Sequence, residues 1–287
     1  MPGSPSSRSA WFELTLHAAA TPLYPPLLNP CHIEGDRSRV RQMKRIPALL
    51  IAGMLAVSGW AEEEKPEPYS TELVKKAEAG DAKAQYDLGV YYFNVNGEAA
   101  GNTKEFLKWW TKSAEHGNAQ AQLILGALYL EGGCVAKDPK YAAMSLRLAA
   151  EQGNVRAQSL CGKCYYHGIG VNMDREEGVK WWTKAADQGD VEAQLIVGQL
   201  YIRKCREEQD AMRCRGFWRQ AEKLFKNAAE QGNAEAQYRL AMLYHAPDCM
   251  YNVPYSKEGV EWLKKSAKLG YGPAQRELHY IKAYFNE

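Results

Sequence analysis

One short word recurs along this chain and restricts its fold more than any other feature. Ala84-Gln85, Ala121-Gln122, Ala157-Gln158, Ala193-Gln194, Ala236-Gln237 and Ala274-Gln275 stand 37, 36, 36, 43 and 38 residues apart. Glycine keeps step at Gly80, Gly117, Gly153, Gly189, Gly232 and Gly270. Four residues after each alanine comes Leu88, Leu125, Cys161, Val197, Leu240 or Leu278, followed by a small residue at Gly89, Gly126, Gly162, Gly198 and Ala241. Three positions further on stand Tyr92, Tyr129, Tyr165, Tyr201 and Tyr244. A period of this length marks a chain of stacked supersecondary units, each too small to bury its own apolar face.

Each unit contains two helical patterns. Helix A runs from the Ala-Gln word to the tyrosine, with apolar residues at i, i+4 and i+8. Helix B ends in words such as Trp182-Thr183-Lys184-Ala185-Ala186-Asp187-Gln188-Gly189, and its apolar anchor seven residues before the glycine is Trp110, Leu146, Trp182, Phe225 or Leu263. The glycine suits the left-handed position that closes a helix. The residue after it, Asp81, Asn118, Asn154, Asp190 or Asn233, suits the N-cap of the next helix A. The small column is where a bulky side chain would stop a neighbouring helix approaching. Repeats are expected at about 81–117, 118–153, 154–189, 190–232 and 233–270, with a terminal capping helix at 271–287. There His279 replaces the small residue and Lys282 the tyrosine. Tyr69–Ala79 reads as a lone B-like helix over the first repeat. The 43-residue spacing reflects an insert of about seven residues near Lys204–Gly216 that contains Cys205 and Cys214.

The first 61 residues read differently. Residues 1–42 are proline-rich and aperiodic. Met43-Lys44-Arg45 then precedes an apolar run, Ile46–Val57, and Gly59 and Ala61 stand at the −3 and −1 positions before Glu62. This is the pattern of a secretory signal peptide over 43–61, too short for a membrane span. Translation from Met43 would make 1–42 a non-native or disordered extension, and 62–68 a linker to the solenoid of 69–287. Residues 1–61 hold six of the 36 basic and three of the 34 acidic side chains, so the remainder is nearly neutral. That balance gives no electrostatic reason to expect nucleic acid or an anionic membrane surface as partner, and no membrane insertion is expected after cleavage. Export would let cysteines pair.

The pattern Ala-Gln-x-x-Leu-Gly-x-x-Tyr, then Gly-x-Gly-Val (Gly168-Ile169-Gly170-Val171), then Lys-Ala-Ala-x-Gln-Gly, resembles the Sel1-like repeat, a relative of the tetratricopeptide repeat. The resemblance covers 69–287. It implies an all-α fold, an α/α solenoid of helix-turn-helix repeats wound as a right-handed superhelix. It also implies adaptor or scaffold roles in protein complexes, including periplasmic or secreted bacterial proteins. One cysteine-rich branch of these relatives is linked to β-lactams. Its paired cysteines fall at columns that here hold Ala150, Ala186, Gln158 and Gln194, and no Ser-x-x-Lys word occurs, so that activity does not carry over.

Few residues invite catalysis. Cys161-Gly162-Lys163-Cys164 is a CxxC, but both thiols fall inside a helix A rather than at a strand-to-helix junction. Core-facing side chains are the favoured reading, ahead of a structural disulfide and of redox chemistry. Cys134, Cys161, Cys164 and His167 are zinc-ligand types, yet the last three diverge around one helix. His116, His167, His245 and His279 lie in different units. Cys134 falls in the loop beside the end of the helix that holds Cys164, which makes Cys134–Cys164 a candidate disulfide. Cys205–Cys214 would close the insert, with Cys249 as a rival partner. No cofactor is expected. Trp110 and Trp182 are anchors, while Trp109, Trp181 and Trp262, one residue earlier, are candidates for partial exposure.

In the related tetratricopeptide architecture, residues flanking the Leu-Gly word line the concave surface. The corresponding columns are Tyr86, Leu123, Ser159, Leu195 and Tyr238, then Phe93, Leu130, Tyr166, Ile202 and His245, with Lys163 and Arg203 nearby. Two readings stay open: an apolar groove for an extended peptide or helix, or tighter packing of helix A against its neighbours. The function expected is an exported scaffold that binds a protein or peptide on its concave face. The alternatives are a cell-wall or β-lactam-acting hydrolase and a purely structural envelope component.

Overall fold

The structure, a computed structural model, describes residues 69–96, 103–132, 135–245 and 256–285. The expected extension, signal peptide and linker, together with Cys134 and Cys249, lie outside these residues. The described residues form twelve α-helices and no strands. A single helix, α1 (Thr71–Glu78), precedes five antiparallel pairs. These are α2 (Ala82–Asn96) with α3 (Thr103–Glu115), α4 (Ala119–Glu131) with α5 (Pro139–Glu151), and α6 (Val155–His167) with α7 (Arg175–Asp187). They continue with α8 (Val191–Glu207) and α9 (Ala211–Glu230), then α10 (Ala234–His245) and α11 (Lys257–Lys268), and α12 (Gly272–Phe285) closes the series. Among the described residues every closely packed helix pair is consecutive in sequence, the pattern of an α/α solenoid.

The glycine turn between units recurs at every junction, and the first five junctions add the same side-chain cap. Gly153, for example, has φ 89°, and its N–H and that of Asn154 bond back to Ala150 and Ala149 carbonyls. This satisfies the last carbonyls of α5 in a left-handed cap that only glycine adopts at little cost. The Asn154 side chain then accepts the Ala157 N–H at 2.9 Å and starts α6. Asp81, Asn118, Asp190 and Asn233 do the same for Ala84, Ala121, Ala193 and Ala236.

Within a pair, the small column meets the anchor. A Cβ on Gly126 would lie 2.6 Å from Leu146 Cγ, and one on Gly198 would lie 2.6 Å from Phe225 Cε1. Where the anchor is tryptophan it also bonds across the crossing, Trp110 Nε1 donating to the Tyr86 carbonyl and Trp182 Nε1 to that of Ser159. The insert in the fourth repeat is not a loop. It lengthens α8 and α9 to 17 and 20 residues, against 12–15 elsewhere in the pairs, and the Cys205–Cys214 disulfide joins their ends.

Candidate functional site

The two columns expected to line a groove are packing seams. Tyr86 and Leu123 are fully buried: Tyr86 clusters with Ala121, Ile124 and Leu125 of the next helix A, and Leu123 with Ala157, Cys161 and Cys164. Leu195 and Tyr238 are half-buried in the equivalent seams, Tyr238 5.4 Å from Tyr271 between ring centroids. The second column turns toward the partner helix B. Phe93 packs on Phe106 and Trp110, and Tyr166 lies 5.0 Å from the Trp182 ring. Leu130 and Ile202 are half-buried against core clusters, and the His245 ring meets Gly259 of α11. Burial pushes the His245 imidazole down to about 4. These side chains therefore do not form an open apolar groove. The physical reason is that an aromatic or aliphatic residue beside the Leu-Gly word fills the narrow space between consecutive A helices. Of the polar residues named with them, Lys163 is half-buried and Arg203 exposed.

The face that helix A leaves between its seams lies elsewhere on the wheel. At 3.6 residues per turn it is centred roughly opposite the glycine that meets helix B. In the third to fifth repeats it carries Leu160, Lys163, Ile196, Gln199, Arg239 and Met242, all half-exposed, with Leu160, Ile196 and Met242 also resting partly on the core. Arg156 of one repeat bonds Glu192 of the next along this face at 3.2 Å, and Arg239 bonds Glu235. In the first two repeats the same columns, Asp87, Val90, Ile124 and Ala127, are buried. The signal that could have found this face is column heterogeneity. Leucine alternating with arginine, or methionine with lysine and glutamine, marks solvent contact, whereas a column that stays apolar marks core.

The tryptophans one residue before the anchors are also more enclosed than expected. Trp109 and Trp181 are each 6% exposed. Trp109 sits among Leu73 and Ala77 of α1 and Ala84 and Leu88 of α2, and Trp181 sits among residues of α5 and α6. A lysine three residues later covers each ring: Lys112 at 4.9 Å, Lys184 at 4.1 Å and, for half-buried Trp262, Lys265 at 3.9 Å. Between α7 and α9, where the fourth repeat has Leu224 in this column, a cleft of about 560 Å³ opens.

The cysteine chemistry is structural. Cys161 and Cys164 are free, buried thiols in the core, and burial raises them to about 12 and about 11. Burial thus favours the thiol over the thiolate that redox exchange uses. Cys164 is a free thiol, and its expected partner Cys134 lies outside the described residues. Cys205–Cys214 is formed. His116 serves the scaffold, its Nδ1 2.8 Å from Gln85 Oε1. No group of three or more potential metal-ligating side chains occurs among the described residues, and no described helix is long and apolar enough to cross a membrane.

The family profile described as Sel1 repeat matches residues 82–118, 119–154, 155–190, 219–233 and 234–271. The crystal structure of a Sel1 repeat protein from Oxalobacter formigenes is 28% identical, with 74% of this chain and 83% of that one covered and a TM-score of 0.59. A protective antigen of uropathogenic Escherichia coli with the same type of fold is also 28% identical, over 75% of this chain and 59% of that one, with a TM-score of 0.39. Among curated proteins none matches the chain. Sel1 repeat proteins are in general scaffolds for protein–protein interaction and typically not enzymes. With five stretches matched over more than half of its length, this chain belongs to the Sel1 repeat family.

Proposed function

We propose that the chain is an exported scaffold that holds a protein or peptide on the helix-A face of its solenoid, across the third to fifth repeats. The observation that supports this is the stripe of Leu160, Lys163, Ile196, Gln199, Arg239 and Met242, half-exposed on three successive helices. Aliphatic side chains there supply area that gains by leaving water, and the two cations add orientation. Consecutive repeats set such residues in a row, so an extended segment meets all three helices. Export rests on the sequence pattern of 43–61 and predicts a mature chain that begins at Glu62 in a periplasmic or secreted fraction.

The test is site-specific photo-crosslinking in cells, with benzoylphenylalanine placed at Gln199 or, as control, at exposed Arg147 on helix B. A discrete polypeptide adduct from position 199 but not from 147, lost with Leu160→Asp, supports the reading. Equal adducts from both positions, or none, overturn it. N-terminal sequencing of the same fraction tests export: a mature species that retains residues 1–42 sinks that part.

A further inference from the structure

We propose that the cleft between α7 and α9 is a binding site for an aromatic side chain, tryptophan above all, presented by a polypeptide partner. The site lies on the helix-B side and stands independently of the helix-A stripe. The argument comes from the molecule's own repetition. In the first and third repeats, the space between one helix B, the preceding helix B and the intervening helix A is filled by an indole, that of Trp109 or Trp181. The fourth repeat builds the same space from Ala185 and Ala186 of α7 and Ala193 and Val197 of α8, but sends in only the partly buried Leu224. An isobutyl group replaces an indole, and a broad open cleft of about 560 Å³ lies over the smaller side chain.

The second repeat shows that lack of tryptophan does not by itself leave a vacancy. It has Ser145 in this column, buried, and Tyr141 one turn earlier on α5 packs against the core of α3 and α4, 4.7 Å from the Tyr129 ring. The residue of the fourth repeat equivalent to Tyr141 is Gln220, which is exposed at the edge of the cleft. The fourth repeat therefore lacks both the indole and its substitute.

The walls suit an aromatic guest. Ala186, Val197 and Leu224 give an apolar floor, and a polar rim that includes Lys223, Asn227, Asp187 and Glu230 stands around it. Lys223 occupies the helix position of Lys108, whose ammonium lies 5.3 Å from the centroid of the Trp109 ring. A guest ring lying as Trp109 does would meet Lys223 in the same way, and a cation over an aromatic face is attracted by its quadrupole. The space beyond the ring accommodates the main chain that carries it, with the Asn227 amide able to donate to or accept from a peptide group.

The experiment titrates methyl-labelled full-length protein with N-acetyl-L-tryptophanamide. Saturable shifts of the Ala186, Val197 and Leu224 methyl signals are expected, with a half-point in roughly the millimolar range for a single side chain. N-acetyl-L-alaninamide should produce none. Leu224→Trp supplies the missing indole from within and should lower affinity for the probe about tenfold or more, with native helicity and a raised melting temperature. Should that variant lose helicity, Leu224→Phe gives the same test with a smaller filler. Shifts that fail to saturate, that appear equally with the alanine amide, or that persist in the filled and folded variant overturn the proposal.

Discussion

Gln188, the last residue before the closing glycine of α7, donates from Nε2 to Oε1 of Gln158 on α6 at 2.7 Å. Gln158 in turn donates to the Ala150 carbonyl at the end of the preceding helix B. The same relay joins Gln152 to Gln122 and Gln231 to Gln194, and His116 takes the place of the glutamine opposite Gln85. The glutamine of every Ala-Gln word thus ties its helix to the unit before it, and in the first four words its oxygen also meets the helix B that follows. The relay stops at Gln237. Its Nε2 reaches the Ala229 carbonyl, but its buried Oε1 meets no donor among the described residues, and the next position in the series is Leu269.

Leu269 is 57% exposed, so its replacement costs little packing. Leu269→Gln should complete the relay and stabilise the protein by about 0.5–1.5 kcal/mol in urea unfolding. Gln188→Leu should do the opposite. It leaves the buried oxygen of Gln158 without its donor and should cost about 1–3 kcal/mol. A Leu269→Gln protein no more stable than wild type would show that the terminal unit does not repeat this geometry.

The glycines of the small column are set by contact, not by turn conformation. Gly198→Ala adds a methyl at the Phe225 ring and should destabilise by about 1–3 kcal/mol, although alanine is the better helix former by about 1 kcal/mol. Gly126→Leu should cost more, since Leu146 and the Ala142 carbonyl both lie within 3.2 Å of the new Cβ. Thermal unfolding measures both, and an unchanged melting temperature would mean the crossing is looser than drawn.

The repeat itself was fully legible in the sequence, because stacking forces the same columns to recur: the Ala-Gln word, the capping glycine and asparagine, and the small residue opposite its anchor. The binding face was not. Tyr86, Phe93 and Tyr166 look like a row of anchors when read as single columns. What buries them is the next repeat or the partner helix, at distances that depend on how closely the units stack. The position of the insert and its Cys205–Cys214 bridge were legible from the longer spacing, but its form, an extension of α8 and α9, depends on how charged residues distribute over the outer faces of two helices.

Peptide-resolved alkylation separates the cysteines. Iodoacetamide at pH 8 should leave Cys161 and Cys164 unmodified in the native state, because both are buried and held as thiols. Cys205 and Cys214 should react only after reduction, and reduction should cost about 2–3 kcal/mol from the short loop they close. The buried thiols also set a sign for alkaline pH. Their folded values lie above the ordinary thiol value, so their contribution is complete below about 9 and is lost as pH rises towards 11–12. Replacing both by alanine should flatten that decline.

Packing and binding separate at Tyr166 and Leu160, two residues of one helix. The Tyr166 ring lies against Trp182 and His167, with the Arg175 guanidinium 5.7 Å from its centroid. Tyr166→Ala therefore opens a gap in the seam with α7 and should cost roughly 1–3 kcal/mol, less than a fully buried aromatic because the ring is half-exposed. Trp182→Ala removes the anchor itself and should cost about 3–5 kcal/mol. Leu160 belongs to the half-exposed stripe but also touches the core of α5 and α6, so Leu160→Asp should cost about 1 kcal/mol while it weakens partner capture. The three variants give a ranking of melting temperatures, Leu160→Asp above Tyr166→Ala above Trp182→Ala. If Tyr166→Ala instead melts with wild type and loses the partner, the ring is an exposed anchor and the binding face lies on the seam after all.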